Sequence, residues 1–249
     1  IRPTSVFITP DSVKDKLTND MNALNGLKEE IKDIENALEN LPKDMTEDAM
    51  SDLSKASDDY DALTDEQKEA LSNEAKKRLE DAKQQAAVIN HTSGNVTAEG
   101  LEWNVRLIVT PVSEGEDYEA MKAAAKGKAI ISMYDISFVR LYRGGDTASY
   151  EPEEKVSIII NEKALSNYKD VAVLHEYAGD EKTVYGEIES KNADSKVAFT
   201  YAGEGGYGIA GNFVAPKTGD SASLVLYMAA LIAAAAVCIA TVVYKKKKA

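Results

Sequence analysis

The chain has very few of the residue types on which most metal and catalytic sites depend. Its 249 residues include one cysteine, Cys238, and two histidines, His91 and His175. Cys238 lies in an apolar run near the C-terminus, so the rest of the chain depends on its cores, without disulfides. A zinc site needs several His or Cys ligands, and a calcium loop needs closely spaced Asp residues followed by Gly. The sequence has neither pattern, and we expect no catalytic residues, no metal and no cofactor.

Positive charge is also scarce, except at the end of the chain. The formal net charge is −13 and four consecutive lysines near the C-terminus supply +4, so the remaining residues sum to −17 (−13 minus 4). An acidic exterior argues against binding to nucleic acid or to anionic lipid. It is typical of a soluble surface protein whose copies repel one another.

One long apolar run, Leu224–Val243, stands out near the C-terminus. Its 20 residues, at about 1.5 Å each, match the roughly 30 Å hydrocarbon core of a bilayer. The run therefore predicts a transmembrane helix over 224–243. Because lysine-rich ends stay on the cytoplasmic side, the C-terminus is expected inside and the residues before the span outside.

A short motif precedes this run, and it consists of Ala215, Pro216, Lys217, Thr218 and Gly219. With the apolar run and the basic tail, residues 215–249 resemble the cell-wall sorting signal of Gram-positive (Firmicutes) surface proteins. In that family a membrane-bound sortase cleaves between Thr and Gly and joins the new carboxyl group to a peptidoglycan precursor. The resemblance implies cleavage between Thr218 and Gly219. It also implies that four residues retain the precursor in the membrane until cleavage: Lys245, Lys246, Lys247 and Lys248.

The motif departs from the family at one position, because the family usually has Leu where this chain has Ala215. The sortase class therefore stays open. An uncleaved membrane anchor with the same motif beside it is the alternative.

Residues 10–90 show helical periodicity. Apolar residues at steps of three or four predict one helix from Pro10 that ends before Pro42: Leu17, Met21, Leu24, Leu27, Ile31, Ile34, Leu38 and Leu41. A second helix is expected to begin near Thr46 as N-cap. A third is expected to begin at a capping box formed by Thr64 and Gln67 and to continue to Ile89. Three amphipathic helices with short connections predict a three-helix bundle whose apolar stripes pack together.

The string from Tyr60 to Leu71 (YDALTDEQKEAL) adds a resemblance to a helical module of secreted Gram-positive proteins. Such modules usually act as spacers beside other domains.

After a polar linker at 91–95 the periodicity changes to two, which indicates strands. About seven strands and one short helix, Asp117–Lys126, predict a β-sandwich over 96–214. The strands are centred on Trp103–Val109, Ile130–Tyr142, Val156–Ile160, Val171–Tyr177, Thr183–Ile188, Val197–Tyr201 and Tyr207–Val214. The order of pieces, including Tyr134-Asp135-Ile136-Ser137, resembles a β-rich module often found before sorting signals. No activity is attached to that module.

The overall expectation is a multidomain α plus β protein, with the helical part and the strand part folding separately. Residues 1–9 are interpreted as a linker or the end of an upstream domain, within the C-terminal part of a longer precursor. The predicted function is that of a non-enzymatic cell-wall surface protein, displayed on peptidoglycan and carrying an upstream adhesive or binding domain. The alternative is the anchor region of a surface hydrolase whose catalytic domain precedes Ile1.

Two further features of the strand region bear on function. A single His175 on a strand is interpreted as a packed residue, since one strand histidine is seldom a ligand. Four tyrosines, Tyr177, Tyr185, Tyr201 and Tyr207, could offer a shallow binding platform, but we expect core or ordinary surface positions for them.

Overall fold

The computed structural model describes residues 10–178, 183–193 and 195–214, and it is a mixed α/β protein in which helices precede two antiparallel sheets. The helices are α1 Pro10–Glu39, α2 Met50–Asp61, α3 Asp65–Ala70, α4 Asn73–Asn90 and α5 Glu116–Ala124. The strands are β1 Thr92–Ser93, β2 Val96–Glu99, β3 Val105–Pro111, β4 Ala129–Leu141, β5 Thr147–Ser149, β6 Ser157–Asn161, β7 Tyr168–Ala178, β8 Thr183–Ile188, β9 Ser190–Ala193, β10 Lys196–Thr200 and β11 Gly205–Phe213. Short 3-10 turns occupy Glu47–Ala49, Arg143–Gly145 and Lys163–Asn167.

Helix α1 ends before Pro42 as predicted, but only its C-terminal part packs in the helical core. Ile34 and Leu38 are buried against side chains of α2 and α4, such as Leu53 and Leu79. The prediction that the whole stripe of α1 is core is wrong for its first half, where every described side chain up to residue 30 is exposed.

The offset between α1 and α4 explains this exposure. The backbone N–H of Ser72, at the start of α4, donates to Oε1 of Glu35 at 2.9 Å. One turn and a half further on, Nε of Arg78 donates to the carbonyl of Leu41 at 3.1 Å. The two helices therefore run in the same direction, and α4 begins level with the last third of α1. The preceding part of α1 extends beyond this core, and its described side chains up to residue 30 are exposed.

The third predicted helix is divided into α3 and α4. Thr64 forms the predicted capping box with Gln67, which confirms the start. Leu71 then adopts an extended backbone (φ −67°, ψ 148°) and buries its side chain in the helical core, and Ser72 caps a new helix through Ala75 N–H at 3.1 Å. Burial of Leu71 explains why the chain turns there.

The predicted capping role of Thr46 is wrong. It precedes a 3-10 turn and its side chain makes no capping hydrogen bond.

The two sheets share one core, in a sandwich-like arrangement. The first sheet has the strand order β1-β2-β6-β10-β9, and the second has the order β3-β4-β11-β7-β8, with β5 paired to β4. Inward side chains from both sheets meet in one cluster, for example Ile158 and Phe199 from the first and Phe138 and Ile209 from the second. All seven predicted strands are present. Four further strands, β1, β2, β5 and β9, are additional to these. Of the four, β5 and β9 are almost entirely exposed, so their sequences carry no alternation that predicts them.

Helix α5, predicted as a short helix, covers part of the outer face of the second sheet. Met121 of α5 is fully buried against Met133, Leu174 and Ala210. Contact with β11 is close, because a Cβ added at Gly208 would lie 2.7 Å from Cγ of Met121. The absence of a side chain at Gly208 is what lets α5 approach the sheet.

The helical part and the sheets meet at a polar junction centred on Asn90, which is completely buried at the end of α4. Its Nδ2 donates to the carbonyl of Trp103 at 2.8 Å, and its Oδ1 accepts from Nε of Arg106 at 3.1 Å. Leu141 of β4 is part of the helical core, and Arg143 pairs with Asp59 of α2 at 2.8 Å.

The residues predicted as a linker, 91–95, contain β1 and the turn into β2. Separate folding of the two parts stays a prediction.

Candidate functional site

The residues predicted to carry the function lie outside the described ranges. These are the sorting motif 215–219, the apolar run 224–243 and the lysines 245–248. Among the residues that the structure describes, no helix has the length and apolar character needed to cross a bilayer.

His175, the one strand histidine, is a packed residue. It is 2% exposed, and its ring lies 4.4 Å from the ring of Tyr207, centroid to centroid. Its Nε2 is 3.2 Å from the carbonyl oxygen of Gly203, and this contact fixes the ring in place. Burial lowers the pKa of His175, against the smaller opposing effect of the Gly203 contact. The ring is therefore neutral at physiological pH and occupies the interior.

The four tyrosines do not form one exposed platform. Tyr207 is fully buried, and Tyr201 stacks on it with ring centroids 6.0 Å apart. Tyr177 is on the His175 side of β7 and is 46% exposed. Tyr185 pairs with Glu176 across β7 and β8, so it lies on the opposite face, against the α5 cluster. Tyr207 is therefore a core residue and Tyr177 a surface residue, as expected for core or ordinary surface positions.

The hydroxyl group of Tyr207 has a structural task at the start of β11. It donates to the carbonyl of Gly203 at 2.6 Å and accepts from the N–H of Ala202 at 2.9 Å. Both bonds close the loop between β10 and β11. Burial raises the pKa of Tyr207, so the phenol keeps its proton and both bonds.

The most unusual chemistry on the described surface is a group of three carboxylates, here called the acidic trio: Asp117, Asp135 and Glu176. Asp135 of β4 is directly opposite Gly206 of β11, and β7 with Glu176 is the next strand. A Cβ added at Gly206 would lie 2.7 Å from Oε2 of Glu176 and 3.6 Å from Oδ1 of Asp135. The two carboxylates thus lean over a glycine from its two neighbouring strands. Asp117 comes from the first turn of α5, beside them.

Burial and mutual repulsion disfavour charge within the trio. Burial, followed by the charge of Asp117, raises the pKa of Asp135. Burial also raises the pKa of Glu176, with the charges of Asp117 and Asp135 adding to it and a backbone hydrogen bond from Gly206 opposing it. A pair of carboxyl groups with raised pKa values can hold or exchange a proton more easily than isolated ones.

Among the described ranges no group of three or more His, Cys, Asp or Glu side chains could hold a metal ion. The trio lies on the side of the sheet away from His175, since Glu176 and His175 are successive residues of one strand. The two carboxylates of Glu176 and Asp135 leave no room for a side chain between them, so glycine is the residue that fits at position 206.

Sequence reasoning missed the trio. Its members are 18 and 41 residues apart along the chain (117 to 135, and 135 to 176), and only the strand order β4-β11-β7 brings them together. A partial signal was present for Asp135, which lies between the apolar residues Tyr134 and Ile136, both buried, so its side chain is expected on the opposite face of the strand. Glu176 lies between His175 and the exposed Tyr177 and has no such signal.

One groove on the described surface has a volume of about 440 Å³ and is open to solvent. It runs along the first sheet near the turn from β8 to β9, where Lys155, Glu189 and Lys191 line it together with small polar residues. Charges of both signs on its walls give it no preference for an acidic or a basic ligand.

No protein family model, no curated protein and no solved structure matches this chain.

Proposed function

We propose that this chain is the wall-anchored part of a bacterial surface protein, and that it is the substrate of a sortase. One observation carries the proposal, namely the order of motif 215–219, apolar run 224–243 and basic tail 245–248. A 20-residue apolar run holds the motif beside a membrane-bound enzyme, and the lysines prevent the precursor from passing through the membrane.

In this proposal the residues of the motif have distinct tasks. Thr218 provides the carbonyl carbon that the sortase nucleophile attacks, and Gly219 supplies the amine that leaves. The new carboxyl group of Thr218 is then joined to an amino group of a peptidoglycan precursor. Pro216 restricts φ and gives the peptide a bend that a narrow cleft can select.

The proposal also includes the arrangement of the domains. A three-helix spacer and a β-sandwich precede a transmembrane helix, and after cleavage they remain on the outer face of the cell wall. Two distinct apolar cores, one in the helices and one between the sheets, support this. A chain without disulfides needs such cores to stay folded outside the cell.

The test is mass spectrometry of the mature protein. The chain is expressed behind an export signal in a Gram-positive host that carries sortase, and the wall is digested with muramidase. A C-terminal peptide that ends at Thr218 and carries a stem peptide is the expected product. Thr218→Ala should leave the protein in the membrane fraction, while the matched control Ser221→Ala, three residues away, should be processed normally.

Two results would contradict the proposal. One is a mature protein that keeps Lys245–Lys248, which would establish an uncleaved membrane anchor. The other is unchanged wall linkage in a sortase-deficient host. The hydrolase alternative differs in what lies upstream of Ile1, and an activity screen of the full precursor distinguishes it.

A further inference from the structure

The first half of α1 presents an apolar stripe to solvent. The exposed stripe consists of Val13, Leu17, Met21, Leu24 and Leu27, whose exposed fractions are 52, 59, 57, 52 and 45%. None of these side chains belongs to the helical core or packs against it. A helix with one apolar face and no partner is only marginally stable in water, because most helical stability comes from packing that face.

The exposed stripe continues a seam that is buried further along the same helix. Leu24, Leu27, Ile31, Ile34 and Leu38 follow one another at alternating steps of three and four, which is the heptad pattern of a coiled coil. Ile34 and Leu38 are buried between α2 and α4. The same seam that packs intramolecularly at its C-terminal end is therefore unpaired at its N-terminal end.

We propose that the exposed stripe pairs with the same stripe of a second copy of this chain, in an antiparallel coiled coil. In heptad terms Leu17 and Leu24 are a positions and Leu27 is a d position. In antiparallel pairing an a residue faces a d residue, so Leu17 packs against Leu27 of the second copy. Val13, a d position, packs against Ile31 of the second copy. Met21 is close to the twofold axis, beside its own counterpart.

Flanking charges neither favour nor oppose this pairing. Lys16 faces Glu30 of the second copy on one flank, and Lys14 faces Lys28 of the second copy on the other. The attraction and the repulsion are of similar size.

The direction of pairing follows from the rest of the helical part. Residues 31–90 carry 16 acidic and 8 basic side chains, a net charge of −8, whereas residues 11–30 carry 5 acidic and 3 basic, a net charge of −2. Parallel pairing would place two strongly acidic bundles side by side. Antiparallel pairing about residue 22 separates their nearest ends by about 27 Å along the helix axis, several times the screening length at physiological salt.

The size of the exposed stripe sets the expected affinity. About half of each side chain is exposed, so the five offer on the order of 450 Å² a chain and 900 Å² a pair. This lies at the small end of specific interfaces, where association is weak and transient. We expect a dissociation constant in the micromolar range, on the order of 1–100 μM.

The first experiment measures self-association of the full 249-residue chain in detergent by sedimentation over a concentration series. Leu17→Glu should weaken association at least about tenfold, because it places a charge in the seam. The matched control Asn22→Glu adds the same charge on the outward side of α1 and should leave association unchanged. Circular dichroism checks that α1 stays helical in both variants. A chain that is monomeric at all concentrations overturns the proposal, and so does association that Leu17→Glu leaves intact.

The second experiment determines direction. In a Cys238→Ala background, Ala23→Cys places two thiols on the same flank near the twofold axis of the antiparallel pair, within reach of a short bifunctional maleimide. In a parallel pair these positions lie on opposite flanks. Efficient crosslinking of Ala23→Cys, with little for the outward control Asn22→Cys, is the expected result. Equal crosslinking of both variants, or none in either, overturns the antiparallel arrangement.

A gain-of-function variant completes the test. Asp20 occupies a d position opposite Leu24 of the second copy, so the pair contains two polar layers related by symmetry. Asp20→Leu should tighten association by about tenfold or more, because two carboxylates leave the seam. Weaker or unchanged association in this variant would contradict the proposed register.

Discussion

Replacing Asn90 with alanine should lower the free energy of unfolding by about 2–4 kcal/mol. The side chain is completely buried, donates to the carbonyl of Trp103 at 2.8 Å and accepts from Nε of Arg106 at 3.1 Å. A net contribution of about 1 kcal/mol is typical of a neutral hydrogen bond, and about 1.5–3 kcal/mol of a bond to a charged group. Arg106 keeps partial access to water and lies 3.7 Å from Glu47, which moderates the loss.

Urea denaturation of a chain ending at residue 214 provides the assay. The single tryptophan, Trp103, reports on the junction by fluorescence, and circular dichroism reports on the helices. Asn36→Ala, on an exposed face of α1, is the matched control and should change stability by no more than about 0.5 kcal/mol. Asn90→Asp keeps the acceptor for Arg106 and loses the donor for Trp103, so an intermediate loss is expected.

A variant Asn90→Ala as stable as Asn36→Ala would refute this reasoning, because it would mean that the buried amide contributes nothing that water cannot replace.

The same junction bears on the division of the chain into a helical part and a strand part. Residues 10–90 and 96–214 are expected to fold when expressed apart, the first helical and the second strand-rich by circular dichroism. Each should be less stable than in the joined chain, since Leu141 and Trp103 cover part of the helical core. An unfolded fragment would show that the boundary is misplaced.

Three further changes test the strand region. Tyr207→Phe removes a buried hydroxyl group with two backbone hydrogen bonds and should lower the free energy of unfolding in urea by about 1–3 kcal/mol. The control Tyr177→Phe, at an exposed site, should change it hardly at all. Equal effects of the two substitutions would contradict the loop-closing role of the Tyr207 hydroxyl. Gly208→Ala places a methyl group 2.7 Å from Cγ of Met121 and should lower the free energy of unfolding by about 1–3 kcal/mol. Met121→Ala in the same chain should remove the clash, so the effects of the two substitutions should not add. Thermal melts in which the two effects simply add would exclude the clash. Glu176→Gln should stabilise the protein at pH 7 by about 0.5 kcal/mol. The raised pKa of Glu176 means that its negative charge destabilises the folded state, fully at pH values above the folded pKa and less as pH falls to the unfolded pKa. The stability difference between Glu176→Gln and the unchanged chain should therefore vanish near pH 4. A difference that stays constant across pH would exclude the charge of Glu176 as its cause.

Local signals in the sequence determined much of the helical part and most of the strands. Pro42 cannot continue a helix, and α1 ends before it. The Thr64 capping box needs only four consecutive residues, and it forms as predicted. Strands such as β6 and β10 alternate buried and more exposed side chains, which is a property of neighbouring residues and can be read without knowing the fold, whereas β11 is buried on both faces. The sorting motif is likewise linear, so a prediction about it needs no tertiary contact.

Tertiary structure alone decided which parts of these elements find partners. Periodicity shows that α1 has an apolar face, but the buried length of that face depends on where α4 begins, and burial of Leu71 sets that point. The acidic trio depends on the strand order β4-β11-β7, which no local pattern encodes. Asn90 is an ordinary polar residue in the sequence, and it is buried because Trp103 and Arg106, where the chain enters β3, close over the end of α4 and satisfy both ends of its amide. In each case the deciding free energy comes from contacts between residues distant along the chain, and propensity and periodicity describe only neighbours.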